Sequence, residues 1–121
     1  MDSNVLRQKL DDHALWLANS KQGPKKGVRA NLSRAKLSNI DLSGVDLSRT
    51  ILVGAQLRGA NLSGAKLEGA HLKDANLIDS NLSGACLINA DLRHTRLRRA
   101  NLTNADLRGA DLEGTDLNYE V

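Results

Sequence analysis

Leucine occupies every fifth position from Leu32 to Leu117, 18 times without an exception. Few backbones can bury all of them together. On an α-helix, at about 100° per residue, a step of five turns each leucine by about 140° from the last, so they share no face. On one flat strand a step of five puts successive leucines on opposite faces. The chain must therefore turn once in every repeat. Two positions before each leucine the residue is small or β-branched, from Ala30, Ala35, Ile40 and Val45 to Thr115, and 12 of these 18 are alanine. A short extended stretch would hold that residue and the leucine inward, the residue between them outward, and leave two residues for the corner.

The second residue after each leucine supports this layout. It is Gly eight times, Asn three times and Asp twice, types that tolerate positive φ. Arg34, Arg49, His94, Arg99 and Tyr119 stand at the other corners. They imply that some corners use negative φ.

Runs such as Ala60-Asn61-Leu62-Ser63-Gly64 and Ala105-Asp106-Leu107-Arg108-Gly109 resemble the pentapeptide repeat proteins over 90 of the 121 residues. The resemblance implies an all-β solenoid, a right-handed quadrilateral β-helix with four repeats per coil. For 18 repeats that is about 4.5 coils, roughly 20 Å of solenoid at about 4.8 Å per coil. The expected organisation is a cap and basic loop over residues 1–29, the repeats over 30–119 and a tail at 120–121.

Residues 4–19 read as an amphipathic helix with Leu6, Leu10, His13 and Leu17 in one stripe, Val5 and Trp16 beside it, and Ser3 as N-cap. Lys21 to Gly27, containing Gly23-Pro24, reads as a basic loop. An open first coil exposes apolar residues and unpaired backbone, so a helix with Leu6, Leu10, Trp16 and Leu17 on its inner side is suited to cover it. The pattern His13-x-x-Trp16-Leu17 followed by Gly27-Val28-Arg29-Ala30 is similar to the lead-in of bacterial members of the family. No comparable cap follows Leu117, which suggests pairing with a second copy through the C-terminal coil, or a longer parent chain.

Four repeats per coil would stack residues 20 apart and sort the surface into faces. One face carries Lys36, Arg58, Arg96, Arg98 and Arg99 against Asp79 and Asp116, and with Arg93 nearby it makes a basic corner at Arg93, Arg96, Arg98, Arg99 and Arg58. An acidic protein surface or a nucleic-acid backbone could dock there, although no aromatic side chain is interleaved for base stacking. A second face repeats Asp41, Asn61, Asn81 and Asn101 beside Ser43, Ser63, Ser83 and Thr103, ladders expected to stabilise the stack through side-chain hydrogen bonds. Ile51 and Val53 flank Leu52 as a small apolar patch, and Ile78 and Ile88 are single outward apolar residues.

Composition excludes other classes. Aromatic residues are only 2%, so the core is aliphatic. No apolar run approaches the roughly 20 residues of a membrane span and the N-terminus is too charged for a signal peptide, which with the single Cys86 points to a reducing cytoplasm. The N-L-S and N-L-T triplets at Asn31, Asn61, Asn81 and Asn101 are repeat spacing rather than glycosylation sites. No serine, aspartate or histidine is singled out for catalysis, and no cofactor or metal is implied. The reading is a non-catalytic interaction module. Some family members mimic duplex DNA and protect type II topoisomerases, but they are acidic, whereas this chain carries +3.

Overall fold

The computed structural model describes residues 1–19 and 27–117. Most of the expected basic loop (Lys21 to Gly27) and the final corner at Tyr119 lie outside them. Helix α1 spans Ser3–Ala18 and is followed by the repeats, whose β contacts are single-residue parallel bridges. Each bridge joins a residue to the one 20 positions later, from Asn31 with Ile51 to Asp91 with Asp111. Stacked residues are thus four repeats apart, and the columns inferred from a 20-residue period exist.

Backbone hydrogen bonds explain why five residues suffice, and the repeat Ala60–Gly64 shows the rule. Leu62 N–H donates forward to Asn81 O at 2.7 Å and Gly64 N–H to Ser83 O at 2.8 Å, while Asn61 N–H donates back to Ile40 O at 2.8 Å. Ala60 N–H closes the preceding corner onto Leu57 O at 3.0 Å. The fifth amide, Ser63 N–H, donates to the Asn61 side-chain oxygen at 3.0 Å. Every N–H of the repeat is paired, as a backbone packed against other backbone requires.

This last bond corrects the expectation for the Asn/Asp column. Asn31, Asp41, Asp46, Asn76, Asn81, Asp91, Asn101, Asp106 and Asp111 all accept the amide two residues on. They bond within their own repeat instead of up the stack, forming Asx turns that replace a backbone acceptor.

The corners also differ from expectation. Every described corner from Arg34 to Gly114 has positive φ, between 57° and 74°, including Arg34 at 58°, Arg49 at 60°, His94 at 58° and Arg99 at 58°. The corner amide must point at the next coil to make its stacking bond, as Arg34 N–H does to Val53 O at 2.9 Å. A left-handed conformation costs a non-glycine residue roughly 1–2 kcal/mol, comparable to the bond it permits. Where a side chain at such a corner leans over the next coil, glycine stands above it: a Cβ at Gly59 would collide with the Asn39 side chain.

Inside the coil the leucines Leu47, Leu52, Leu57, Leu62, Leu67, Leu72, Leu77, Leu82 and Leu87 have no solvent exposure. The alanine column fills the space between them. Leu32, Leu37 and Leu42 of the first coil are buried, and Leu6 of helix α1 belongs to the same core cluster. Its N-cap is Asp2, whose carboxylate accepts from Asn4 and Val5 N–H; the expected cap, Ser3, is the first helical residue. Leu6 and His13 are its buried residues, Leu10 packs partly buried on the core, Trp16 and Leu17 are half-buried, and Val5 faces solvent. Gly27 joins the lead-in to the helix at φ 80°, where a Cβ would strike Asp12 O and, at 2.6 Å, Trp16 N. Val28 N–H then donates to Asp12 O at 3.1 Å.

Candidate functional site

Leu97 faces the core, so Arg96 and Arg98 on either side of it must both point outward on one face. They border a groove of about 330 Å³ lined also by Ile78, His94, Thr95, Gly114 and Asp116. Ile78, expected to be an isolated surface residue, is only 4% exposed. It lies between Arg58 and Arg98 in its column and forms an apolar floor, a position suited to cover by long arginine stems. Thr95 is buried and donates its hydroxyl to Leu72 O at 2.8 Å, which anchors the groove's inner wall.

The five arginines of the expected basic corner are not equivalent. Arg99 grips Asp79 through Nε at 2.6 Å and a terminal nitrogen at 3.2 Å, and Arg58 approaches the same carboxylate at 3.5 Å. Arg93 holds Asp91 with two bonds of 2.8 Å across Leu92, on the neighbouring face. Hydrogen bonding from Arg99, with the charges of Arg99, Arg58 and Arg98, keeps the Asp79 carboxyl below its usual pKa despite some desolvation. Asp91 is lowered in the same way by Arg93. Arg96 and Arg98 form no ion pair among the described residues. Asp116, which shares their groove, instead accepts the Leu97 N–H. Arg96 and Arg98 therefore border a partly apolar groove without an ion pair, whereas Arg93 and Arg99 are each paired and Arg58 shares Asp79 with Arg99.

The remaining expected features are dispersed. Ile51 is half-buried and Val53 is 36% exposed, on either side of Leu52. Among the described residues no group of three His, Cys, Asp or Glu side chains is arranged to hold a metal ion, and no helix is long and apolar enough to cross a membrane. The pairing that the column sorting missed was present in the chain order: Asp91 and Arg93, like Asp106 and Arg108, flank one inward leucine and so meet outside it.

A family profile of pentapeptide repeats matches in eight copies over residues 28–64, 55–93 and 87–118. The chain belongs to the pentapeptide repeat family. Among solved structures it is similar to HetL, a pentapeptide repeat protein involved in heterocyst differentiation regulation in the cyanobacterium Nostoc sp. PCC 7120, with 39% identity and a TM-score of 0.62 over 73% of this chain. That match covers 47% of HetL, so this chain spans about half the length of that relative. A pentapeptide repeat protein of the Arabidopsis thaliana thylakoid lumen is 37% identical, with a TM-score of 0.62 over 80% of this chain and 70% of its own. Rfr23 from Cyanothece 51142 is 39% identical, with a TM-score of 0.51 over 78% of this chain and 65% of its own. No curated protein matches the sequence. As a pentapeptide repeat protein, the chain stacks its repeats through parallel bridges on a leucine core.

Proposed function

We propose that the chain is a non-catalytic protein-interaction module of the cytoplasm, in which residues 1–29 cap a right-handed solenoid of about 4.5 coils, and that it docks an acidic segment of a partner protein at Arg96 and Arg98. The observation that carries this reading is the absence of ion-pair partners for these two side chains among the described residues, beside a groove floored by Ile78. A carboxylate is the matching group, because a guanidinium binds it in a bidentate, charge-assisted fork. No aromatic side chain is interleaved among these arginines for base stacking, which favours a protein carboxylate over nucleic acid. Mimicry of DNA is poorly supported by a net charge of +3, and three of the surface aspartates, Asp79, Asp91 and Asp106, are already held by arginines.

Fluorescence anisotropy with a glutamate-rich peptide and with duplex DNA tests the assignment. Peptide binding that weakens with salt, is lost in Arg96→Ala/Arg98→Ala and persists in Arg93→Ala/Arg108→Ala supports it. Binding of DNA alone would move the function to nucleic acid.

Self-association is a second reading with its own observation. Leu102, Leu107 and Leu112 are only partly buried, unlike the leucines beneath them, and no acceptor is seen for the Leu107 and Leu112 amides among the described residues. A second copy stacked on this coil would cover both. Light scattering that finds a monomer at all concentrations removes this reading.

A further inference from the structure

At the edge of the first coil His13 takes the place of missing backbone. In the stack the corner amides from Arg34 to His94 donate to the coil after them, and each inward small residue donates across the corner before it. At the first coil neither partner is available to Ser48 O or Ala30 N–H in that form. His13 supplies both: Nδ1 accepts from Ala30 N–H at 2.9 Å, and Nε2 lies 2.9 Å from Ser48 O and 3.2 Å from the Thr50 hydroxyl. A carbonyl can only accept and an amide can only donate, so the ring must be neutral with its hydrogen on Nε2. The imidazole has no solvent exposure and stacks on Trp16, with ring centroids 5.5 Å apart.

We propose that His13 is an acid-sensitive clasp: protonation at Nδ1 sets a donor against the Ala30 amide and releases helix α1 from the first coil. The charges around the ring do not rescue the protonated form. Asp46 on the first coil favours it, but Arg29 of the lead-in and Arg49 of the first coil oppose it. The Asp46 carboxylate is committed to Ser48 N–H at 3.0 Å and the Ser48 hydroxyl at 2.6 Å. On α1 itself, Lys9 is turned to Asn31 O at 3.3 Å and Asp12 takes the Gln8 amide at 3.2 Å. The two opposing arginines also sit on Trp16, with Arg49 Cζ 4.8 Å and Arg29 Cζ 5.8 Å from a ring centroid. Burial lowers the His13 pKa from its usual 6.5, an effect only partly countered by the Ser48 bond and Asp46. An open groove lined by Leu17, Asp46, Ser48 and Arg49 lies beside the clasp, on the side of Ser48, whose carbonyl the ring binds.

A histidine whose folded pKa lies below its unfolded value contributes stability above about pH 6.5, and that contribution declines as pH falls through the lowered folded value. Release of α1 uncovers the backbone edge at Ala30, Asn31 and Ser48 for another chain.

Trp16 is the sole tryptophan and lies in the clasp, so its fluorescence reports the event directly. Acrylamide quenching of the full chain is followed from about pH 8 to about pH 4.5. The expected result is a rise of about twofold or more in quenching with a midpoint below pH 6.5, while amides around Leu62 to Leu82 keep their protection from exchange. His13→Gln can still offer a donor to Ser48 O but cannot titrate, so its quenching stays flat; His71→Gln/His94→Gln keeps the transition. A flat wild-type profile, or the same transition in His13→Gln, overturns the proposal. Should His13→Gln fail to fold by circular dichroism, nitrogen NMR of the wild-type ring decides. A bare Nδ1 near neutral pH and a His13 midpoint coincident with the Trp16 change uphold the clasp. A ring that protonates without moving Trp16 overturns it.

Discussion

A leucine that is merely apolar and a leucine that is a structural unit differ in what its removal leaves behind. Leu77 has no solvent exposure and sits mid-stack, where the coils above and below are fixed by backbone bonds and cannot collapse into a void. Leu77→Ala is therefore expected to cost about 2–5 kcal/mol in chemical denaturation; an unchanged midpoint would contradict its placement. Corner residues make the opposite case. Arg34 holds φ 58° with an exposed side chain outside any ion pair among the described residues. Arg34→Gly removes a strain of about 1 kcal/mol, offset in part by the freedom glycine gains in the unfolded chain. It should leave the melting temperature unchanged or raise it, whereas a clear drop would mean that the arginine stem contributes packing the corner needs. The leucine was legible in the sequence because a strict period of five excludes both helix and flat strand. The backbone of Arg34 was not, because residue preference is local while the force holding φ positive is a hydrogen bond to Val53, 19 positions away.

At the scale of the element, α1 and the first coil are one unit although the helix has little amphipathic character beyond a few positions. The spacing of Leu6 and Leu10 made their inward placement legible, one buried and the other partly buried against the core. That His13 in the same stripe makes the polar joint was not legible, since a histidine on an apolar face has no partner until the coil's open edge is known. The basic corner divides in the same way. A period of 20 places Arg58, Arg98 and Arg99 on one face, yet only the folded chain shows that Asp79 takes up Arg99 and Arg58 and leaves Arg98 outside any ion pair among the described residues. Gly27 tests the junction: with φ 80° and no room for a Cβ between Asp12 O and Trp16 N, Gly27→Ala must displace the lead-in from the helix. Faster amide exchange throughout α1, with the central repeats unchanged, is the expected outcome; equal protection in the two proteins would show that the contact yields at no cost.

For the whole molecule, a stack in which each coil touches only its neighbours is as stable locally as the coils on either side make it. One leucine column samples this directly, because Leu47, Leu67 and Leu87 are fully buried while Leu107 is not. Acid adds a second axis. Asp41, Asp46, Asp91 and Asp106 are all held below the usual 3.8, Asp41 by the Ser43 hydroxyl and amide, Asp91 and Asp106 chiefly by bonds from Arg93 and Arg108, and Asp46, against its desolvation, by the Ser48 bonds together with neighbouring charge. Carboxyls with depressed folded pKa values contribute stability above about pH 4 and lose it as pH falls through those values. Two acid steps should therefore separate along the solenoid: loosening of α1 below pH 6.5, then general loss of the Asx-turned coils below about pH 4. If a second copy covers the far end, Leu107→Glu, placing a charge where Leu107 now meets the edge, should halve the mass seen by light scattering while leaving the second step in place. An unchanged mass at the monomer value in both proteins would assign that edge to no partner copy and leave the Arg96–Arg98 groove as the surface through which the module acts.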